Sequence, residues 1–297
     1  MERLVGIALI AISAAGFGTL AILGRYAFAD GLDALTILFF RFLSATAVMA
    51  GLLVLCRERL PRGNLLIRLT GMGAIGYVGQ AFCFLTALKY ASSGLVALLL
   101  YLYPTMVAIL SWIVLRERIG RVKVLGLALA LAGAALTVGP EGGRPAGVLL
   151  AIAAAVIYSL YIIVGTQVMR QVSAVQSSTV IFASAAAMSG ILMLVNGPRL
   201  PATEKGWTAI ALIVLVATLL PVVCFLAGLK RIGPTNAAIL STLEPAVTVF
   251  LAWLLLGETL KPLSMLGGGL ILLAVLLLAH GELRRIRTVR QPSPKPE

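Results

Sequence analysis

Charge is what this sequence has least of: only 12% of its 297 residues are Asp, Glu, Lys or Arg, while 60% are hydrophobic. Soluble domains carry about 25% charged residues. A water-soluble fold is excluded, because too few polar side chains remain to cover it. Histidine is limited to His280 and cysteine to Cys56, Cys83 and Cys224. Those numbers permit no disulfide framework and no paired-ligand spacing for a metal, so no metal site is expected. Also lacking are HExxH, GxSxG, a glycine-rich phosphate loop and a Walker A lysine. Their absence argues against an integral-membrane enzyme and against ATP as a direct energy source, and no cofactor is called for. Acidic residues number 11 against 24 basic ones, a net charge of +13. Such a surplus can mark a nucleic-acid partner, but here the basic residues sit between apolar runs instead of on a soluble face with interleaved aromatics. No nucleic acid is expected.

Long apolar runs fill the chain in their place. They lie at about 4–24, 34–55, 67–89, 92–115, 122–139, 146–166, 176–196, 207–229, 233–257 and 262–280. Each is near the roughly 20 residues that one helical span needs. The connections are short and punctuated by Gly, Pro and charge, as in Pro61-Arg62-Gly63-Asn64 and Asn196-Gly197-Pro198. The expected fold is therefore all-α and integral to the membrane, with ten transmembrane helices. Ala27-Phe28-Ala29 looks like a signal-peptide cleavage site. The preceding apolar stretch is longer than the 7–15 residues of a signal h-region, though, and favours a retained first span.

With an even number of spans both termini share a side, and the Lys/Arg bias selects it. Placing the termini in the cytoplasm puts seventeen basic residues inside: Arg3; Arg57, Arg59, Arg62 and Arg68; Arg116, Arg118, Arg121 and Lys123; Arg170; Lys230 and Arg231; and five beyond residue 281. Only Arg25, Lys89, Arg144, Arg199, Lys205 and Lys261 then lie outside, and Arg41 falls within a span. Attraction of the basic face to anionic lipids follows as a by-product.

The chain also repeats itself. At an offset of 141 residues Cys83-Phe84-Leu85 falls on Cys224-Phe225-Leu226, and Lys89 on Lys230. Pro104, Trp112, Glu117 and Gly126 fall on Pro245, Trp253, Glu258 and Gly267. Five spans per half is an odd number, so the halves must be inverted. The expected domains are a first five-helix repeat at 1–140, a second, inverted one at 141–281, and a basic cytoplasmic tail at 282–297, exposed and partly disordered. Inverted repeats are a recurring plan of secondary transporters, because the halves can exchange conformations around a midplane site.

The second copy reads EPAVTVFLAWLLLGETLKPLSMLGGGLIL and the first YPTMVAILSWIVLRERIGRVKVLGLAL. Pro, an apolar run, Glu and then Gly recur in both, and nearly the whole chain resembles the EamA family of the drug/metabolite transporter superfamily. Arg116, where the second copy has Gly257, is a departure from the pattern. The resemblance implies an exporter of small metabolites, most often amino acids, in a bacterial inner membrane. Aromatic amino acid exporters are the most similar members in size and architecture. An exporter of another metabolite or drug class, a channel and a membrane enzyme are the alternatives.

Glu244 is the sharpest site candidate. An acid midway along a span is costly, and it faces a bundle interior or water-filled cavity. It would contact a substrate amine or couple protons to export, unless it is a structural acid bonded to a neighbouring helix. The repeat sets Tyr103 opposite Glu244, with Tyr101 close by. Phe17, Tyr158 and Tyr161 on the paired first and sixth spans, with Tyr77 and Gln80 on the third, complete a ring suited to a partly apolar substrate. Pro104 and Pro245 interrupt their helices and are hinge candidates. Glu117 and Glu258 are helix-end or gate contacts. Arg41 is expected either to snorkel outward and pair with Asp30 or Asp33, or to contact a carboxylate. Trp207, Tyr90 and Tyr26 read as interfacial anchors. Small-residue faces at Gly126, Ala130, Gly133 and Ala134, and at Gly267, Gly268 and Gly269, point to close packing within the fold over dimerisation. The expected partners are therefore an amino-acid substrate and membrane lipids, with the protein a monomer or weak dimer.

Overall fold

The computed structural model describes residues 2–87, 90, 91, 96, 99–117, 119–138, 144–256 and 262–290. Every regular element among them is helical. Six stretches are long and apolar enough to cross a membrane: Glu2–Ala29, Ala34–Leu55, Pro145–Val168, Ala174–Asn196, Glu204–Ile232 and Pro234–Leu255. Tyr103–Leu115 and Met265–Leu278 are shorter apolar helices.

Several stretches are interrupted near their middle. Helices α1 (Glu2–Gly18) and α2 (Leu20–Ala29) are parted at Thr19, whose hydroxyl and amide both turn back to the Gly16 carbonyl, at 2.7 and 3.2 Å. Helix α3 (Ala34–Leu55) starts at Asp33, whose carboxylate accepts from the Thr36 amide at 2.7 Å, an ordinary N-cap. Helix α4 (Asn64–Gly71) passes through a π-helical turn, Met72–Tyr77, into α5 (Val78–Ala87). Helix α6 (Tyr103–Leu115) carries Pro104 in its first turn, where a missing N–H costs nothing. It is followed by α7 (Arg121–Val138), α8 (Pro145–Val168) and α9 (Ala174–Asn196). A complete capping box opens α9, with Ser173 and Gln176 exchanging side-chain to backbone bonds at 3.0 Å each. Helix α10 (Glu204–Val214) then runs through a second π-helical turn, Leu215–Leu219, into α11 (Leu220–Ile232).

Helices α12 (Pro234–Ser241) and α13 (Leu243–Leu256) are parted at Thr242. Pro245 has no N–H to offer the Ser241 carbonyl, so the α-ladder lapses there. The Thr242 hydroxyl bonds the Ile239 carbonyl at 2.6 Å. The last helix, α14 (Pro262–Arg290), runs past the apolar span. Residues 282–290 of the expected tail are helical. That segment holds Glu, Leu and Arg, good helix formers, and the next proline is Pro292. Residues 291–297 lie outside the described residues.

The helices pair in a regular way. Helix α1 packs on α11 as α8 packs on α5, and α1 meets α13 as α8 meets α6. Helices α3 and α9 pair with each other, and so do α7 and α14. Lipid supplies no hydrophobic drive for helix association, so these contacts rest on close packing. A Cβ on Gly6 of α1 would lie 2.6 Å from Ile232 of α11, and one on Gly133 of α7 would lie 2.6 Å from the Gly267 carbonyl of α14. Gly133 and Gly267 are thus used inside the fold, as expected, with buried Ala130 and Ala134 beside them. Gly269 faces away, with nothing within 4 Å of its Cβ position.

Candidate functional site

Interrupting so many helices at one depth leaves a space between them. A cavity of about 390 Å³ lies there, within the roughly 300–1,000 Å³ usual for small-molecule sites. Phe17, Leu20, Gly24 and Phe28 of the broken first stretch form one wall, and Ala34, Ile37, Leu38 and Arg41 of α3 another. Tyr77, Gln80, Ala81 and Phe84 follow from the first π-turn and α5. Tyr158 and Tyr161 come from α8, Val222 and Phe225 from α11, and Glu244 and Thr248 from α13, with Leu100 completing the lining. The lining runs from mid-span at Glu244 and Arg41 to Phe28, Ala34 and Phe84, which lie near the ends of α2, α3 and α5 on one side of the bundle. None comes from the opposite ends of the full stretches Glu2–Ala29, Ala34–Leu55 and 64–87.

Of the residues singled out in the sequence, Phe17, Arg41, Tyr77, Gln80, Tyr158, Tyr161 and Glu244 meet in this one cavity. Tyr101 and Tyr103 are not part of its lining, though both are buried. The Tyr103 ring sits edge-on to Tyr158 at 4.7 Å and its hydroxyl donates to the Ala238 carbonyl at 3.3 Å. Tyr158 stacks on Tyr161 at 6.1 Å, and Tyr161 meets Tyr77 edge-on at the same distance. A continuous aromatic ladder thus backs the cavity.

Arg41 is 4% exposed and does not snorkel. Its Nη2 donates to the Tyr77 hydroxyl at 2.8 Å and lies 3.5 Å from the Ala217 carbonyl. The guanidinium also stands 5.0 Å from the Phe42 ring centroid and 5.6 Å from that of Tyr77. Pairing with Asp30 or Asp33 is therefore corrected. Asp33 is spent on the α3 N-cap, and Asp30 accepts from the amides of Ala202 and Thr203 at 3.0 and 3.1 Å and from the Thr203 hydroxyl. The Thr203 hydroxyl first, then the two amides, hold the Asp30 carboxyl below its ordinary range. A mid-membrane cation costs on the order of 2.5–3.5 kcal/mol. A charge-assisted bond of about 1.5–3 kcal/mol and cation–π contacts of about 0.5–2 kcal/mol each offset that cost.

Glu244 lies in the first turn of α13, where a negative charge suits the helix dipole. Among the described residues no side chain hydrogen-bonds its carboxylate, and no ion pair joins it to Arg41. Thr248, one turn on, donates to the Glu244 carbonyl at 3.1 Å and to the Gly18 carbonyl at 3.0 Å, covering an acceptor left open at the α1/α2 break.

Away from the cavity lining, side-chain contacts join distant parts of the chain. Glu117 pairs with Lys123 and accepts from the Thr235 hydroxyl at 2.8 Å, tying α6 and α7 to α12. Ser173 bonds Glu58, and Gln176 donates to the Arg59 carbonyl at 2.9 Å. Pro104 and Pro245 lie in the first turns of α6 and α13. Glu258 lies outside the described residues. Tyr26, Tyr90 and Trp207 are all exposed.

Sequence reasoning missed Leu20, Phe84, Val222, Phe225 and Thr248. The signal for most of them was present. Phe84 and Phe225, Ala81 and Val222, Phe17 and Tyr158, and Leu20 and Tyr161 are all pairs at the 141-residue offset, and all eight line the cavity.

Comparison with known proteins is consistent with this geometry. A solved crystal structure superposes with a TM-score of 0.81 over 96% of this chain and 98% of its own, at 22% identity, a likeness of fold. An uncharacterized transporter from Archaeoglobus fulgidus is 27% identical over 276 residues, 92% of this chain and 95% of its own. The uncharacterized transporter YyaM of Bacillus subtilis is 25% identical over 72% of each chain. The uncharacterized inner membrane transporter YedA of Escherichia coli is 23% identical over 82% of this chain and 80% of its own. The EamA-like transporter family matches residues 4–139 and again 145–279. The chain belongs to the EamA-like transporter family and is a multi-pass membrane transporter.

Proposed function

We propose that this protein exports neutral, chiefly aromatic, amino acids across a bacterial inner membrane by alternating access, as a secondary transporter and not an enzyme. The observation that carries the reading is the cavity. It sets one acid, Glu244, and one base, Arg41, among the apolar and aromatic side chains of Phe17, Phe84, Phe225 and Tyr158. An amino acid has that character, with two opposite charges on an apolar body.

In this proposal ten spans form two inverted five-helix halves. Support comes from the matched pairings of α1 with α11 and α8 with α5, from the two π-turns at Met72–Tyr77 and Leu215–Leu219, and from the family match repeating in the second half. The bias of Lys and Arg supports cytoplasmic termini. In that orientation the cavity opens outward, and the contacts of Glu117 with Lys123 and Thr235 close its cytoplasmic end. Tyr101 and Tyr103 then act from behind the wall, Pro104 and Pro245 as hinges, and Glu117 with its repeat partner Glu258 as gates.

The test is flux into liposomes bearing the purified protein. Saturable counterflow of labelled phenylalanine, competed by other neutral amino acids, is the expected outcome. Currents far above carrier rates would mark a channel, and flux of a different metabolite class alone would overturn the substrate.

A further inference from the structure

We infer that Arg41 is the carboxylate-recognition point of the cavity, held ready by the two π-helical turns, and that the substrate is bound as a zwitterion with its ammonium group toward Glu244. The inference rests on the amino-acid reading above and deepens it by assigning each end of the substrate to a side chain.

Both π-turns converge on this one guanidinium. The first ends at Tyr77, whose hydroxyl accepts from Arg41 Nη2 at 2.8 Å. The second contains Ala217, whose carbonyl accepts from the same Nη2 at 3.5 Å; Pro221, four residues on, has no N–H to offer that carbonyl. Such turns recur at functional sites. Here they engage Nη2 of a cation and leave its Nε without a partner among the described residues.

Arg41 Nε is buried and has no hydrogen-bond partner among the described residues. A permanently charged donor left bare in a low-dielectric interior is costly, and native structures rarely tolerate one without a use. The Nε–H is the donor from which a substrate carboxylate oxygen would accept, in a charge-assisted bond. Glu244 fronts the same cavity, and among the described residues its carboxylate has no side-chain hydrogen-bond partner. Opposite charges that share a cavity without an ion pair between them leave room for a ligand that joins both. An amine alone, or a carboxylic acid alone, would satisfy only one.

The test is binding to the purified full-length protein of three probes with one apolar body: L-phenylalanine, phenethylamine without the carboxylate, and 3-phenylpropionate without the ammonium. The wild type is expected to bind L-phenylalanine at least about tenfold tighter than either single-ended probe. Arg41→Gln should weaken L-phenylalanine and 3-phenylpropionate by about 10–100-fold and leave phenethylamine within about twofold. Tyr77→Phe, which releases the guanidinium from its holder, should give a smaller loss in the same direction. If Arg41→Gln does not fold, Arg41→Lys serves: it keeps the charge, lacks the Nε donor, and should weaken the same two probes selectively. Unchanged 3-phenylpropionate binding in the Arg41 variants, or equal wild-type affinity for phenethylamine and L-phenylalanine, overturns the inference. A protein that binds 3-phenylpropionate through Arg41 yet moves no amino acid in liposomes upholds the carboxylate site and overturns the transport reading instead.

Discussion

Replacing Glu244 by Gln removes one negative charge from the cavity and changes little else, because the two side chains are nearly isosteric. The consequence depends on what the carboxylate holds. A structural acid would be hydrogen-bonded to a neighbouring helix, and breaking such a bond costs about 1–3 kcal/mol of stability. Among the described residues the Glu244 carboxylate accepts no side-chain hydrogen bond, and Thr248 reaches only its backbone carbonyl. Folded yield and Tm are therefore expected to match the wild type within about 2 °C, since even 1 kcal/mol moves Tm by only a few degrees in a chain of this size. Substrate is a different matter. A charge-assisted hydrogen bond to an ammonium group contributes about 1.5–3 kcal/mol, which corresponds to roughly a 10–150-fold loss of transport efficiency. Counterflow of labelled phenylalanine in liposomes, at matched protein incorporation, measures that loss. Undiminished flux would refute the reasoning. Normal flux per folded molecule with a collapsed yield would make Glu244 a structural acid.

Three further predictions concern the scaffold. Arg116 caps α6 at φ 53° and ψ 33°, a left-handed conformation costing a non-glycine residue about 1–2 kcal/mol. Arg116→Gly should keep or raise Tm, whereas Arg116→Val should lower stability by about 1–2 kcal/mol; equal thermal unfolding of the two variants would refute this. Gly133→Ala drives a methyl group to 2.6 Å from the Gly267 carbonyl and should cost about 1–3 kcal/mol, while Gly269→Ala meets open space and should be neutral or mildly stabilising. Side-by-side thermal unfolding checks the contrast, and a neutral Gly133→Ala would count against the α7/α14 packing. Asp30 has a carboxyl held below its ordinary range, chiefly by the Thr203 hydroxyl. The stability it gives is thus present above the unfolded pKa, near 3.9, and is lost as pH falls through the lower folded value. Protection from exchange at the Ala202 and Thr203 amides, relative to their intrinsic rates, should fall below about pH 4, and Asp30→Asn should remove that acid dependence.

The helical class, the mid-span position of Glu244 and seven of the lining residues could be read from the sequence, because composition and helical length are set by the bilayer and need no knowledge of neighbours. Arg41 could not be resolved in the same way. Its depth in the span was legible, but whether it turned outward to Asp30 or inward depended on Asp30 and Asp33 already being engaged, by Thr203 and by the α3 N-terminus. Neither engagement leaves a periodic signal. The π-turns were illegible for a related reason, since glycines at Gly73 and Gly76 are equally at home in a close helix contact. The placement of Tyr101 and Tyr103 behind the wall also depends on rotation at the 101–102 turn, which spacing does not fix. Arg116, by contrast, occupies a left-handed position where a glycine would be unstrained.

The breaks and the cavity are one feature. In hydrocarbon a freed backbone carbonyl is costly unless protein or trapped water satisfies it. At the α1/α2 and α12/α13 breaks and the second π-turn, acceptors are covered by side chains: Thr19 on Gly16, Thr248 on Gly18, Thr242 on Ile239, Tyr103 on Ala238 and Arg41 on Ala217. Helices α3 and α9, by comparison, run unbroken and pack through the stacked rings of Phe42 and Phe182, 6.1 Å apart. The broken stretches thus bring Tyr77, Glu244 and Thr248 to the cavity, and the unbroken α3 brings Arg41. A ligand that draws Arg41 from Ala217, or that alters the turn carrying Glu244 and Thr248, acts directly on the groups that hold a break in its present geometry. In the proposed alternating-access cycle, binding and bending would then draw on the same hydrogen bonds.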